Sequence, residues 1–153
     1  MKIVCISDSH GAENTFDEIV FNNKNDTDLF LFLGDGYRDF EAVKERYPKV
    51  KLYGVSGNCD ALCPLGQINE EIVCGKRIIY THGHGFSVKL SLGGLKAYAK
   101  TVGANIAFYG HTHIASVIQE DGIFYINPGS VRDGRYAVVF INGGEIRCKL
   151  DRI

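Results

Sequence analysis

The stretch KIVCISDSH, residues 2–10, sets the pattern for the whole chain. Lys2 to Ser7 is a short apolar run, rich in β-branched residues, of the kind that forms a strand buried on both faces. It stops at Asp8-Ser9-His10, where the chain turns polar without a spacer. Working outward, Ala12 to Asn22 reads as a helix with Phe16, Ile19 and Val20 on one face. Asp28 to Leu33 is a second apolar run, Arg38 to Tyr47 a second helix and Val50 to Val55 a third strand. This βαβαβ order predicts parallel pairing through right-handed crossovers.

The second half changes character. Glu70 to Val73 and Lys76 to Tyr80 flank Cys74-Gly75, and Ser116 to Glu120 and Ile123 to Asn127 flank Asp121-Gly122. Both read as hairpins, because such pairs accept the positive φ of a tight turn. Tyr136 to Ile141 and Glu145 to Leu150 surround Asn142-Gly143-Gly144 in the same way, and Asn105 to Tyr109 is a single strand. Val88 to Thr101 reads as a helix weakened by Gly93-Gly94. A parallel half followed by hairpins predicts an α/β fold: a four-layer α-β-β-α sandwich of two mixed sheets with helices outside, in one domain over residues 1–153.

The polar residues fall at the strand ends. After the five strands ending near Ser7, Leu33, Val55, Tyr80 and Tyr109 come Asp8-Ser9-His10, Gly34-Asp35-Gly36, Gly57-Asn58-Cys59-Asp60, Thr81-His82-Gly83-His84 and Gly110-His111-Thr112-His113. Ligands of open α/β sheets bind beyond the carboxyl ends of strands. A single histidine is most often structural or solvated. Here all five histidines, His10, His82, His84, His111 and His113, lie in these loops. Glycines at 34, 57, 83 and 110 let the backbone turn sharply beside them. A cluster of nitrogen and oxygen ligands without sulfur suits manganese, iron, nickel or zinc.

Bulk properties remove several alternatives. A net charge of -1, with 45% hydrophobic and 23% charged residues, gives no electrostatic case for nucleic acid or a membrane surface. The apolar run at the start is short for a signal peptide, and no stretch reaches bilayer length. The five cysteines offer one CxxxC pair, Cys59 and Cys63, with no second pair for a zinc finger. They read as reduced thiols, which fits the cytoplasm, with Cys5 a buried apolar residue. Gly83-x-Gly85-x-x-Val88 lacks the third glycine of a dinucleotide fingerprint, and there is no P-loop and no GxSxG elbow.

Taken in order, Asp8-x-His10, Gly34-Asp35, Gly57-Asn58-x-Asp60, His82-Gly83-His84 and Gly110-His111-x-His113 resemble the calcineurin-like metallophosphoesterases. Asn127-Pro128-Gly129-Ser130, a turn by composition, and the small size resemble the short prokaryotic phosphodiesterase branch, similar in fold to the retromer subunit. The resemblance implies two divalent ions, manganese first, with nickel, iron, zinc or magnesium also compatible. It assigns one ion to Asp8, His10, Asp35 and His113 and the other to Asp35, Asn58, His82 and His111, with Asp35 shared. Asn58 and His84 are then the residues nearest the chemistry, His84 touching substrate or orienting a ligand. Two aspartates and two divalent ions leave a site of about +2, which favours an anionic phosphate ester. The implied reaction is attack on phosphorus by a water or hydroxide bridging ions roughly 3.5–4 Å apart.

Many members of that family carry a leaving-group histidine where this chain has Cys59. Cys59 has the weaker claim to that role beside His84 or a metal-assisted leaving group. Asp60 reads as a supporting carboxylate accepting a hydrogen bond from a loop or a histidine. The expected partner is a small phosphodiester, and a homo-oligomer is compatible with the sequence. The rival readings are a phosphomonoesterase on the same site and a non-catalytic interaction module like the retromer subunit. The full set of seven ligand-type residues speaks against the module.

Overall fold

The computed structural model describes residues 1–153. Strands β1 (Lys2–Ile6), β2 (Leu29–Phe32) and β3 (Leu52–Gly54) alternate with helices α1 (Glu13–Asn23) and α2 (Tyr37–Arg46). After them come β4 (Ile68–Val73), β5 (Lys76–Thr81), α3 (Gly93–Thr101), β6 (Ile106–Phe108), β7 (Ser116–Glu120), β8 (Ile123–Asn127), β9 (Arg135–Asn142) and β10 (Glu145–Arg152). They form two five-stranded mixed sheets, ordered β10-β9-β1-β2-β3 and β4-β5-β6-β8-β7. β1, β2 and β3 pair in parallel, as do β5, β6 and β8, while the hairpin partners pair antiparallel.

Three apolar clusters define four layers. Alternate residues of each strand point to opposite faces, so Ile3, Cys5, Leu31 and Leu33 meet Ile78, Tyr80, Ile106 and Phe108 between the sheets. Val4, Ile6, Phe30 and Phe32 face the other way, onto Phe16, Ile19 and Val20 of α1 and Phe40 and Val43 of α2. On the far side, Ile79, Ala107 and Tyr125 pack against Leu95 and Ala99 of α3. Each fully buried large side chain contributes about 1.5–3 kcal/mol. This is the predicted α-β-β-α sandwich, and Cys5 is fully buried as expected.

One element differs from the sequence reading. The helix read over residues 88–101 begins only at Gly93. Ser87 takes the left-handed conformation (φ 53°), and Val88 turns inward against Gly83. Gly93 and Gly94 therefore sit in the first turn, where Ser91 Oγ accepts the Gly93 N–H (3.0 Å), and not in the helix interior. No helix is long and apolar enough to cross a membrane.

Candidate metal centre

The parallel strands β1, β2, β3, β5 and β6 all end at one edge, where the two sheets meet over their shared core. On the first sheet, Asp8 follows β1 and is fully buried. Its Oδ2 accepts hydrogen bonds from Ser7 Oγ (2.6 Å) and the His111 N–H (3.0 Å). Its Oδ1 is buried and has no hydrogen-bond partner, with His113 Nε2 at 3.2 Å and His10 Nε2 at 3.8 Å. Asp35 follows β2. Its Oδ1 accepts the Cys59 N–H (2.8 Å), while Oδ2 lies 3.3 Å from His82 Nε2 and 3.7 Å from His10 Nε2. The loops after β2 and β3 touch backbone to backbone. A Cβ on Gly34 would lie 2.5 Å from Gly57 N, and one on Gly57 would lie 2.0 Å from Asp35 Oδ1, so neither position accepts a side chain.

Asp60 supports this arrangement more extensively than its sequence position suggests. Its carboxylate accepts the N–H groups of Asp35 (2.8 Å), Gly36 (2.8 Å), Tyr37 (2.9 Å) and Gly57 (2.8 Å). Two of these belong to the start of α2, which has no local side-chain cap. Asp60 therefore caps that helix from a distant loop and ties the Asp35 turn to the Asn58 turn.

The second sheet supplies imidazoles. His82 Nδ1 lies 2.7 Å from the Leu33 carbonyl, which can only accept, so Nδ1 carries the proton and Nε2 presents its lone pair to the centre. Around that Nε2 stand Asp35 Oδ2 (3.3 Å), Asn58 Oδ1 (3.2 Å) and His111 Nδ1 (3.1 Å). Electron-rich atoms facing one another at this range need a shared cation. The orphaned Asp8 Oδ1 makes the same demand on the His10–His113 side, and these donors fit a metal ion. His84 borders the cluster, its ring 5.5 Å from that of His82, with a buried Nδ1 lacking a partner.

Ligand-type atoms within 4.8 Å of one another form three groups: Asp8, His10 and His113; Asp35, His82 and His111; and His10, Asp35 and Cys59. The first two correspond to the halves expected from the sequence. The third brings the Cys59 thiol within that range of His10 and Asp35, because the turn after Asn58 points it toward Asp35. Asp8, His10, Asp35, His111 and His113 all hold positive φ, between 45° and 67°. Such geometry costs roughly 1–3 kcal/mol per non-glycine residue and gathers at functional sites.

Electrostatics follow from this packing. Burial pushes the Asp35 carboxyl upward, but the His82 ring beside Oδ2 and the Cys59 N–H on Oδ1 outweigh it and hold Asp35 well below the usual carboxylate range. Burial opposes charge on His82, yet Asp35 and Asp8 raise its pKa overall. Burial first, then the charge of His82, lowers His84 and His111, favouring the neutral imidazole that ligates metal. Burial and Asp35 raise the Cys59 thiol.

The turn Asn127-Pro128-Gly129-Ser130, tied to the site by resemblance alone, supplies two supporting side chains whose partners the sequence did not name. Ser130 Oγ donates to the Asp8 carbonyl (2.8 Å), and Asn127 Nδ2 donates to the Gly110 carbonyl (2.9 Å) and Thr112 Oγ1 (3.0 Å). The turn 127–130 reaches this edge because β8 runs parallel to β6. Parallel pairing of that strand had no signal in the hairpin pattern that predicted it.

The calcineurin-like phosphoesterase superfamily domain matches residues 1–146, and the chain belongs to that superfamily. The probable metallophosphoesterase YsnB of Bacillus subtilis (strain 168) is 33% identical over 136 residues, covering 86% of this chain and 76% of that protein. The phosphodiesterase YfcE of Escherichia coli (strain K12) is 29% identical over 154 residues, covering 86% of this chain and 79% of that protein. A crystal structure from Streptococcus pneumoniae TIGR4, described as a predicted phosphoesterase, superposes with a TM-score of 0.86 at 27% identity, over 99% of this chain and 88% of that one. Vps29 of Entamoeba histolytica, solved with zinc, shares the fold, with a TM-score of 0.74 at 19% identity over 99% of each chain. The chain is thus a phosphoesterase of a metal-dependent family.

Proposed function

We propose that this chain is a phosphodiesterase that works with two divalent ions. Asp8, His10, Asp35 and His113 would hold one ion, and Asp35, Asn58, His82 and His111 the other. The observation that carries this reading is the position of Asp35 Oδ2, 3.7 Å from His10 Nε2 on one side and 3.3 Å from His82 Nε2 on the other. When bound, two such ions clamp the phosphoryl oxygens and make water a usable nucleophile near neutral pH. The chain's own groups hold the geometry: Ser7 and the His111 N–H orient Asp8, the Leu33 carbonyl orients His82, and Asp60 locks the loops. We assign His84, partly exposed beside His82, to contact with a substrate oxygen, a role supported by its place at the border of the cluster.

The diester preference draws on the likeness to YfcE and on space. A cavity of about 490 Å³ opens beside His10 and Cys59 and extends to Tyr37, Arg38 and Leu62, room for the second ester group that a monoester lacks. Manganese is the first choice of ion, with nickel, iron, zinc and magnesium as alternatives, since the donors are mostly nitrogen and oxygen. Five unpaired thiols fit a cytoplasmic setting. The test is metal analysis of reconstituted protein with rates on bis(4-nitrophenyl) phosphate and 4-nitrophenyl phosphate. We expect two ions per chain and faster diester cleavage. Saturation at one ion would remove the dinuclear reading, and faster monoester cleavage the diester preference.

A further inference from the structure

We infer that Cys59 supplies a sulfur ligand to the ion on the His10 side of the centre. This inference rests on the two-ion reading above. The sulfur, a His10 ring nitrogen and an Asp35 carboxylate oxygen lie mutually within 4.8 Å. The His10 side is also where Asp8 Oδ1 stands fully buried without a partner, 3.8 Å from His10 Nε2. His10 therefore belongs to both ligand triads.

The thiol is held in place. The Cys59 N–H donates to Asp35 Oδ1 (2.8 Å), and the preceding Gly57 N–H is fixed by Asp60 Oδ2 (2.8 Å). Asn58 Nδ2 donates to the sulfur (3.3 Å). No other cysteine belongs to any ligand group: Cys5 is buried in the core, and Cys63, Cys74 and Cys148 lie elsewhere.

Sulfur changes what this position prefers. A soft thiolate favours zinc, iron and cobalt over magnesium. The S–metal bond forms as the thiol proton leaves to water, so a ligated Cys59 has no proton to give a leaving group.

Cobalt substitution tests this without assaying activity. The full chain, with Cys63→Ser, Cys74→Ser and Cys148→Ser to remove the other thiols outside the core, is titrated with Co²⁺ and its absorption recorded. Visible d–d bands count bound cobalt whatever the ligands, and a near-ultraviolet charge-transfer band reports Co–S bonding. We expect that band in the parent and its loss in Cys59→Ser and Cys59→Ala. We also expect zinc affinity at one site to fall about tenfold and magnesium affinity to change by under about twofold. Two cobalt ions per chain without the charge-transfer band would overturn the inference and leave the two-ion reading standing. A band that survives in Cys59→Ser would overturn it as well. Failure to bind cobalt at all would remove both. The parent spectrum is decisive even if a variant misfolds.

Discussion

The first sheet brings its carboxylates to the centre under nearly full burial, Asp8 at 0% and Asp35 at 2% exposure, whereas the second brings four histidines of which only His82 is buried. The loops differ in the same sense. Those of the first sheet are laced together: Asp8 N–H to the Gly34 carbonyl (2.9 Å), His10 N–H to the Asp35 carbonyl (3.0 Å), and four N–H groups on Asp60. Those of the second are tied mainly across to the first, by the His111 N–H to Asp8 Oδ2 (3.0 Å), His82 Nδ1 to the Leu33 carbonyl (2.7 Å) and Ser130 Oγ to the Asp8 carbonyl (2.8 Å). In the proposed two-ion centre the first sheet thus holds the carboxylate shared by both halves, and the second provides ligands that each serve one half. Damage to the shared carboxylate should spread, and damage to a second-sheet ligand should stay local.

Asp35→Ala is the severest break, because in the proposed centre its Oδ2 serves both halves while Oδ1 accepts the Cys59 N–H. Activity should fall by about 10³-fold or more, and metal analysis should find less than one ion retained per chain. A mild loss, equal to that of Asp60→Ala, would end the assignment of Asp35 as the shared ligand.

His113→Gly should be local. His113 is partly exposed and holds φ 60°. We expect one ion lost and one kept, with activity down about 10²-fold. Glycine relieves the positive-φ strain while adding unfolded-state entropy, so the metal-free Tm should stay within about 3 °C of the parent. Loss of both ions would show that the two halves are not separable.

Asp60→Ala should reverse that profile. It strands four backbone donors but removes no ligand, so stability should drop by about 2–3 kcal/mol. That corresponds to about 4–12 °C in Tm for a chain of this size. Two ions should still bind, and activity should fall less than in Asp35→Ala. Calorimetry beside metal analysis separates the two variants, and an unchanged Tm would contradict the capping role. The smallest effect belongs to Ser130→Ala, which removes the hydrogen bond to the Asp8 carbonyl (2.8 Å) and the one that Oγ accepts from the Arg132 N–H (3.2 Å). A loss of about 1 kcal/mol with less than about tenfold in rate is expected, measured by thermal melts and steady-state kinetics. A larger rate loss would mean that Ser130 does more than hold Asp8.

Much of this was legible before any coordinates. The strand and helix order, the Asp121-Gly122 hairpin and the burial of Cys5 follow from local periodicity and turn chemistry, which depend on neighbours in the chain. The helix read over 88–101 failed at its start because tertiary packing of Val88 against Gly83 overrode propensity. The supporting role expected of Asp60 was correct in kind, but its four backbone partners were invisible, since N–H groups carry no residue signature.

By itself the sequence determined which residue types stand at which strand ends, because alternation and glycine punctuation mark where each strand stops. Only the tertiary structure decided which of those ends meet. His111 reaches Asp8 across 103 positions, His82 reaches the Leu33 carbonyl across 49, and the Cys59 thiol turns toward His10 and Asp35. Such distances arise from how two sheets pack over a common core, a long-range outcome that no local pattern encodes.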